Sequence, residues 1–261
     1  MNGAEPYGPL IGTGVRVLTW NVWGEEGPYA ERAGRIEKVV RDVAPDVVAL
    51  QEWAGQRLGY EHAAVISEKA PVAVLSRWPV VRQEDRLLPG GPPPEKKGGV
   101  LPGRALFCEL DGPRGPLQVF SVMIGAYRLG DSQARQEQVR ALAAFVQEVS
   151  SRRHPTLVCG DFNAPPDSDE MRMLTGRAAT PVPGLVFYDA WEVAGDGGPG
   201  HTWSNANPWA RPGLYPDRRF DYVLSAWPRA GGAGHPVRCE VVGDGPEPGS
   251  DHYAVLAELR Y

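Results

Sequence analysis

Short apolar runs that close on a polar side chain recur along this chain, and they restrict it to a fold rich in strands. Val15-Arg-Val-Leu-Thr-Trp20 runs into Asn21, and Val47-Val-Ala-Leu50 runs into Gln51-Glu52. Thr156 to Cys159 ends at Gly160, after which Asp161 and Asn163 follow two residues apart. Asp221 lies inside Arg219-Phe-Asp-Tyr-Val223, and Ser250-Asp-His252 precedes Tyr253-Ala-Val-Leu256. Runs of four to six apolar residues bounded by polar or glycine punctuation read as buried strands. A carboxylate and a carboxamide delivered together at a strand end can orient and deprotonate a water against a phosphorus centre. An Asp at a strand exit also forms Asx-turns, so Asp161 and Asn163 by themselves leave that alternative open.

The remaining pattern places a few helices among these strands. Pro28 to Ala44 carries Ile36, Val39, Val40 and Val43 on one helical stripe before Pro45 stops it. Ser132 to Ser150 is a second helix, with Val139, Leu142, Ala143, Val146 and Val149 as its apolar face and Asp131 or Ser132 as N-cap. Asp167 to Leu174 reads as a short third helix opened by Asp167, with Glu170 three residues on. Strands are expected at 15–21, 46–51, 71–76, 104–110, 117–124, 156–160, 220–225 and 253–259, with a weaker one near 185–189. Many short strands flanked by helices imply an α/β (α+β) chain, a four-layer sandwich of two packed mixed β-sheets with helices outside.

Leu87 to Gly103 and Gly195 to Gly213 are rich in Gly and Pro and resemble linkers. Candidate site residues lie on either side of each, so a boundary there would divide one site, and both read as long surface loops. The expected organisation is a flexible segment over residues 1–14 and a single domain over 15–261, within the range a sandwich reaches as one unit. Of the 261 residues 42% are hydrophobic and 23% charged, ordinary values that permit a large core. The three cysteines, Cys108, Cys159 and Cys239, are widely spaced and form no CxxC pair, which argues against a zinc site or disulfide framework. No stretch approaches the ~18 apolar residues of a membrane span, and residues 1–15 have no signal-peptide pattern; a cytoplasmic location is the default expectation. The net charge of −5 with scattered basic residues makes nucleic acid a disfavoured partner, since phosphate neutralisation supplies most non-specific affinity.

The five polar-ended segments, in this order, resemble the endonuclease/exonuclease/phosphatase superfamily of deoxyribonuclease-I-like hydrolases over about residues 15 to 260. The resemblance implies a metal-dependent hydrolase of phosphate esters. It makes Glu52 the main ligand of Mg²⁺, with Mn²⁺ as the other candidate ion, Asn21 beside it, and Asp251 ligating directly or through water. Hard carboxylate oxygens suit such an ion, which keeps several of its waters. Asp161 is then the general base or water-orienting acceptor, and Asn163 holds that water or a phosphoryl oxygen. His252 donates to the phosphoryl oxygens, with Asp221 fixing its tautomer through the other ring nitrogen. The other histidines, His62, His154, His201 and His235, lack such neighbours and read as surface or loop residues.

Two departures from the family pattern bear on substrate. Many members end the strand before the second long helix in His-Leu, whereas here Gln118-Val-Phe-Ser-Val-Met-Ile124 puts Met123 in that place. Met neither donates to an oxyanion nor transfers a proton, so Tyr127 or Arg128 becomes the candidate donor. Alternation places Leu117, Val119, Ser121 and Met123 on one face, with Met123 at the sheet's end beside the metal cluster, where it is a candidate substrate contact. Trp23 stands where several nuclease relatives carry an acidic metal-site residue. Trp203, Asn205, Trp209 and Tyr215 occupy the loop before the Asp221 strand, which borders the substrate in relatives, and the aromatics there suit stacking on a base or apolar group. The leading expectation is a Mg²⁺-dependent phosphoesterase on a small-molecule or single-stranded phosphomonoester or phosphodiester. A DNA endonuclease or repair nuclease and a non-hydrolytic or biosynthetic member of the fold are the alternatives.

Overall fold

The computed structural model describes residues 11–56, 58–66, 71–89, 103–125, 132–213, 215–227 and 229–261. Its elements run β1 (Gly14–Asn21), α1 (Tyr29–Val43), β2 (Val47–Gln51), β3 (His62–Ile66), β4 (Val72–Ser76), β5 (Val80–Leu87), β6 (Arg104–Gly112) and β7 (Gly115–Met123). They continue with α2 (Ser132–Val149), β8 (Thr156–Asp161), α3 (Asp169–Leu174), β9 (Phe187–Asp189), α4 (Ala190–Ala194), β10 (Asp221–Ala226), β11 (Pro236–Val242) and β12 (Ala254–Arg260). One six-stranded sheet has the order β11-β12-β1-β2-β4-β3, the other β5-β6-β7-β8-β10-β9. Both are mixed. In the first, β1 and β2 are parallel and joined through α1; in the second, β7 and β8 are parallel and joined through α2. A parallel pair needs a crossover, and each long helix supplies one.

Alternation along the strands sorts the apolar residues into three layers. Val17, Val47, Val74, Leu106, Val119, Cys159, Val223 and Val255 fill the space between the sheets. Phe107, Phe120, Val122, Phe145, Val146 and Leu224 pack the second sheet against α2. Leu18, Trp20, Ile36, Val40, Leu50 and Leu256 pack the first sheet against α1. The expected faces of β7 hold, with Leu117, Val119 and Met123 between the sheets and Phe120, Val122 and Ile124 toward α2. All three cysteines are buried and free, and burial pushes the Cys108 thiol up to about 12. A polar seam crosses the inner layer: Gln51 Nε2 donates to Ser121 Oγ at 3.1 Å, and Ser121 Oγ donates to Leu50 O at 2.9 Å.

Several local expectations need correction. The N-cap of α3 is Ser168, whose hydroxyl accepts from the Met171 N–H, and Asp167 lies outside the helix. Strands β3, β5 and β11 and the short helix α4 were not anticipated, and His62 opens β3 half-buried. Asp131, most of the 87–103 loop and residues 1–10 lie outside the described residues. Beyond residue 10, the Ile11 N–H donates to Gly231 O and Thr13 Oγ1 donates to Tyr261 O, tying the start of β1 to the body. Among the described residues no helix is long and apolar enough to cross a membrane.

Candidate active site

Strand direction gathers the polar residues. β1, β2 and β8 deliver Asn21, Glu52 and Asp161 at their C-terminal ends. The antiparallel partners β10 and β12 begin at that same edge, so Asp221 stands directly across from Asp161 in register and His252 sits just before β12. Five segments scattered over 230 residues of sequence thus meet where two sheets end together.

Asp161 is the hub. Its Oδ1 accepts the Asn163 backbone N–H at 2.8 Å, and its Oδ2 accepts Asn21 Nδ2 at 3.0 Å and Asn163 Nδ2 at 3.2 Å. Asn21 Nδ2 also donates to Glu52 Oε1 at 3.1 Å, so one carboxamide links two carboxylates. His252 Nδ1 lies 2.8 Å from Asp221 Oδ2, while Nε2 lies 3.9 Å from Asp161 Oδ2. Both Asp161 and Asp221 are shut off from solvent, and two opposed buried carboxylates repel unless a cation or proton stands between them. The imidazole occupies that place.

Gly160 permits the close approach of β8 to β7, because a Cβ there would lie 1.9 Å from Val122 O. Glu52 and Asn163 both take left-handed backbone, φ 52° and 49°, sparsely populated for residues with a Cβ and an orientation that turns each side chain off its strand. The Asx-turn at Asp161 is therefore real and coexists with the cluster. Both Asn163 amide hydrogens are engaged, by Ile124 O at 2.9 Å and by Asp161, which leaves its Oδ1 as the group to meet a water.

Burial raises the Asp161 carboxyl to about 7, with His252 and the asparagine hydrogen bonds pulling against it. Burial by itself would lower His252, but Asp221 and then Asp161 outweigh it and hold the ring well above its ordinary value. Glu52 is raised by burial and further by the charge of Asp251, against the Asn21 hydrogen bond; Asp251 is raised by burial despite His252 and Ser250. Asp221 Oδ1 is buried with no hydrogen-bond partner. Crowded buried carboxylates are what a divalent cation with hard-ligand preference relieves, so the oxygen donors of Glu52, Asn21 and Asp251 fit Mg²⁺ or Mn²⁺. Among the described residues Asp161, Asp221 and His252 bring ligand atoms within 4.8 Å of one another. Glu52 joins them through Asn21, and Asp251 through the adjoining His252.

Three supporting residues, Arg32, Asn207 and Thr202, were not legible beforehand, and Ser250 was noted in its segment without a role. Arg32 is fully buried and donates to Val22 O, Trp23 O, Gly24 O, Glu26 O and Gly249 O, lashing the loop after Asn21 to the loop before Ser250. Its signal was a basic residue four positions before Ile36 on the stripe of α1. Asn207 Nδ2 donates to Ser250 O at 2.9 Å and Asp251 O at 3.1 Å. Thr202 Oγ1 accepts the Phe220 and Asp221 N–H groups, and Thr202 O accepts the Tyr253 N–H, which ties Asp221 to the His252 segment. Ser250 Oγ donates to Asn21 O at 2.7 Å.

The expected substrate contacts fare unevenly. Trp203 reaches the site, its ring edge-on to His252 at 5.1 Å. Asn205 is exposed, and its amide donates to Tyr215 O and Asp217 Oδ1; it shapes its own loop, and none of its hydrogen bonds reaches the cluster. Met123 ends β7, where the structure pairs it in register with Asp161, but it is only 1% exposed and belongs to the core between the sheets. It offers no surface to substrate, because it packs among the side chains between the two sheets. Tyr127 and Arg128 lie outside the described residues.

The endonuclease/exonuclease/phosphatase family model matches residues 18–252, and the chain belongs to that family. It is accordingly a hydrolase of the phosphoesterase and nuclease class, a class generally dependent on a divalent metal ion. The chain is similar to an endonuclease/exonuclease/phosphatase from Beutenbergia cavernae DSM 12333, at 24% identity and a TM-score of 0.69 over 95% of this chain and 71% of that one. A Bacteroides vulgatus endonuclease/exonuclease/phosphatase superposes with a TM-score of 0.72 at 18% identity, covering 95% and 98% of the two chains. D. rerio TDP2, complexed with single strand DNA product, gives 0.72 at 17% identity over 95% and 100%. These likenesses establish the fold. No curated protein matches the chain.

Proposed function

We propose that this protein is a Mg²⁺-dependent phosphoesterase that hydrolyses a small-molecule or single-stranded phosphate ester through attack of an activated water. The observation that carries the reading is the Asp161 hub, where a buried carboxylate held by Asn21 and Asn163 faces a His252 ring that Asp221 anchors. Glu52, Asn21 and Asp251 would hold the ion, which supplies Lewis-acid charge to the phosphoryl oxygens when bound.

Asp161 combines acceptor oxygens facing His252 with a carboxyl that burial raises to about 7, so it takes the proton of the attacking water. Asn163 Oδ1 orients that water. Protonated His252 donates from Nε2 to the oxygen on which charge develops, and Asp221 keeps Nδ1 as the bonded nitrogen throughout. Trp203, edge-on to the ring, and the surrounding burial exclude competing water. The acidic net charge supports small or single-stranded substrates over duplex DNA, and the D. rerio TDP2 neighbour, complexed with single strand DNA product, supports the single-stranded choice.

The test is hydrolysis of a panel of phosphomonoesters, phosphodiesters and short single strands with and without Mg²⁺. The reading expects turnover that EDTA abolishes and that Asp161→Asn lowers by about 10²–10⁴. Silence across the panel, or full activity in Asp161→Asn, refutes it.

A further inference from the structure

Trp23, two residues after Asn21, takes a sparsely populated backbone conformation. Its backbone is left-handed, φ 57°, an outlier for so bulky a residue. The surroundings nevertheless fix it: the Trp23 N–H donates to Asn21 Oδ1 at 3.0 Å, and the Gly24 N–H donates to Glu52 O at 3.0 Å. The buried Arg32 guanidinium lies 4.8 Å from the indole centroid while it binds the carbonyls of residues 22, 23, 24 and 26. Gly27 leaves room for the ring edge, since a Cβ there would stand 3.0 Å from Trp23 Cζ3.

A second indole meets it. Trp209 lies 5.9 Å from Trp23, centroid to centroid, with the planes inclined by 39°. Trp209 is fixed too: its N–H donates to Asn207 Oδ1, its Nε1 to Pro248 O, and Asn207 in turn holds the Ser250 and Asp251 carbonyls. The backbone of each tryptophan is thus tied to cluster residues, Trp23 directly to Asn21 and Trp209 in two steps through Asn207 to Ser250 and Asp251. Both keep part of their surface in solvent, unlike Trp20, which is fully buried with its Nε1 bonded to His252 O. Beside them, Glu25 and Glu26 are exposed.

We propose that Trp23 and Trp209 form an aromatic wall on the Asn21–Asp251 side of the site, and that this wall stacks on a nucleobase carried by the phosphate ester. The proposal rests on the phosphoesterase reading and narrows its substrate to a nucleotide ester. Indole faces bind bases without hydrogen-bond readout, so the wall selects for an aromatic group and tolerates its identity. The acidic rim of Glu25 and Glu26 opposes further phosphates on that flank, which favours one terminal nucleotide over a continuing strand.

Calorimetric titration with inorganic phosphate, ribose 5-phosphate and a nucleoside 5′-monophosphate, in Ca²⁺ to suppress turnover, separates the two claims. The nucleotide is expected to bind the native protein about tenfold more tightly than the sugar phosphate, the scale of one base–aromatic stack. Trp23→Leu and Trp209→Leu should each reduce that preference toward unity while the affinity common to all three ligands stays, and Trp23→Phe should restore part of it. Equal binding of nucleotide and sugar phosphate by the native protein overturns the wall and leaves the phosphoesterase reading standing. So does a preference that survives both leucine variants, or a folded Trp23→Phe protein with no preference. Failure of all three ligands to bind the native protein overturns both.

Discussion

Arg32→Met tests whether one buried cation holds the site loops together. The side chain is fully buried, stands on the same stripe of α1 as Ile36 and Val40, and makes six hydrogen bonds to five carbonyl oxygens. Burial lowers its pKa, with the charges of Asp251 and Glu52 among those opposing that effect. Methionine fills similar volume and removes every donor. The bonds to Trp23, Gly24 and Glu26 are only part-buried, so water can replace them. Those to Val22 O and Gly249 O are buried, and at ~1–3 kcal/mol for each acceptor left unpaired the loss is ~2–6 kcal/mol. Relief of the guanidinium's desolvation offsets part of this, leaving about 2–4 kcal/mol. For a chain of this size that lowers Tm by roughly 4–16 °C, read by calorimetric or urea unfolding. Arg32→Lys should recover part of the loss, because an ammonium supplies three donors in place of the planar fork. A Tm unchanged to within about a degree in Arg32→Met would show that the carbonyls are rehydrated at no cost, and the argument fails.

Asp221→Asn should leave the fold intact and reduce kcat by about 10²–10⁴, because the 2.8 Å partner of His252 Nδ1 loses its charge and its certainty as an acceptor; near-native kcat removes Asp221 from the mechanism. The pH–rate profile should rise as Asp161 ionises through about 7 and fall as His252 loses its proton above its ordinary range. In Asp221→Asn the falling limb should move to lower pH, and an unmoved limb would assign it to another group. Because the folded His252 pKa is raised, its stabilising contribution is complete below the unfolded value of 6.5 and is lost as pH rises through the folded value. Thermal unfolding across that window should therefore show a smaller pH-dependent loss in Asp221→Asn than in the native protein. Gly160→Ala should destabilise strongly or abolish folding, since its Cβ would overlap Val122 O at 1.9 Å, and an unaltered unfolding midpoint would show that β8 can shift away from β7.

The chain by itself determined the interior strands and the chemistry at their ends. β1, β2, β4, β6, β7, β8, β10 and β12 lie inside the sheets, where burial on both faces leaves largely apolar runs in the sequence, and their observed bounds differ from the expected ones by one or two residues. The strands that escaped, β3, β5 and β11, and the weakly marked β9 all lie at sheet edges. An edge strand has one partner and one flank in water, so it carries charges: β5 reads Val80-Val-Arg-Gln-Glu-Asp-Arg-Leu87, mostly half-buried or exposed, and no apolar period survives in it. The site divides in the same way. Asn21, Glu52, Asp161, Asn163, Asp221, Asp251 and His252 were legible because a polar residue closing an apolar run is rare enough to notice. Tertiary structure decided how they connect: that Asp161 is the hub, that Asn21 bridges it to Glu52, and that Asp221 faces Asp161 across two antiparallel strands. It also decided that Met123 is core, that Asn205 serves its own loop, and that Arg32, Thr202 and Asn207 hold the loops in place. Their hydrogen bonds run largely to backbone carbonyls and N–H groups of segments remote in sequence, and a backbone group carries no residue identity from which such a partner could be read.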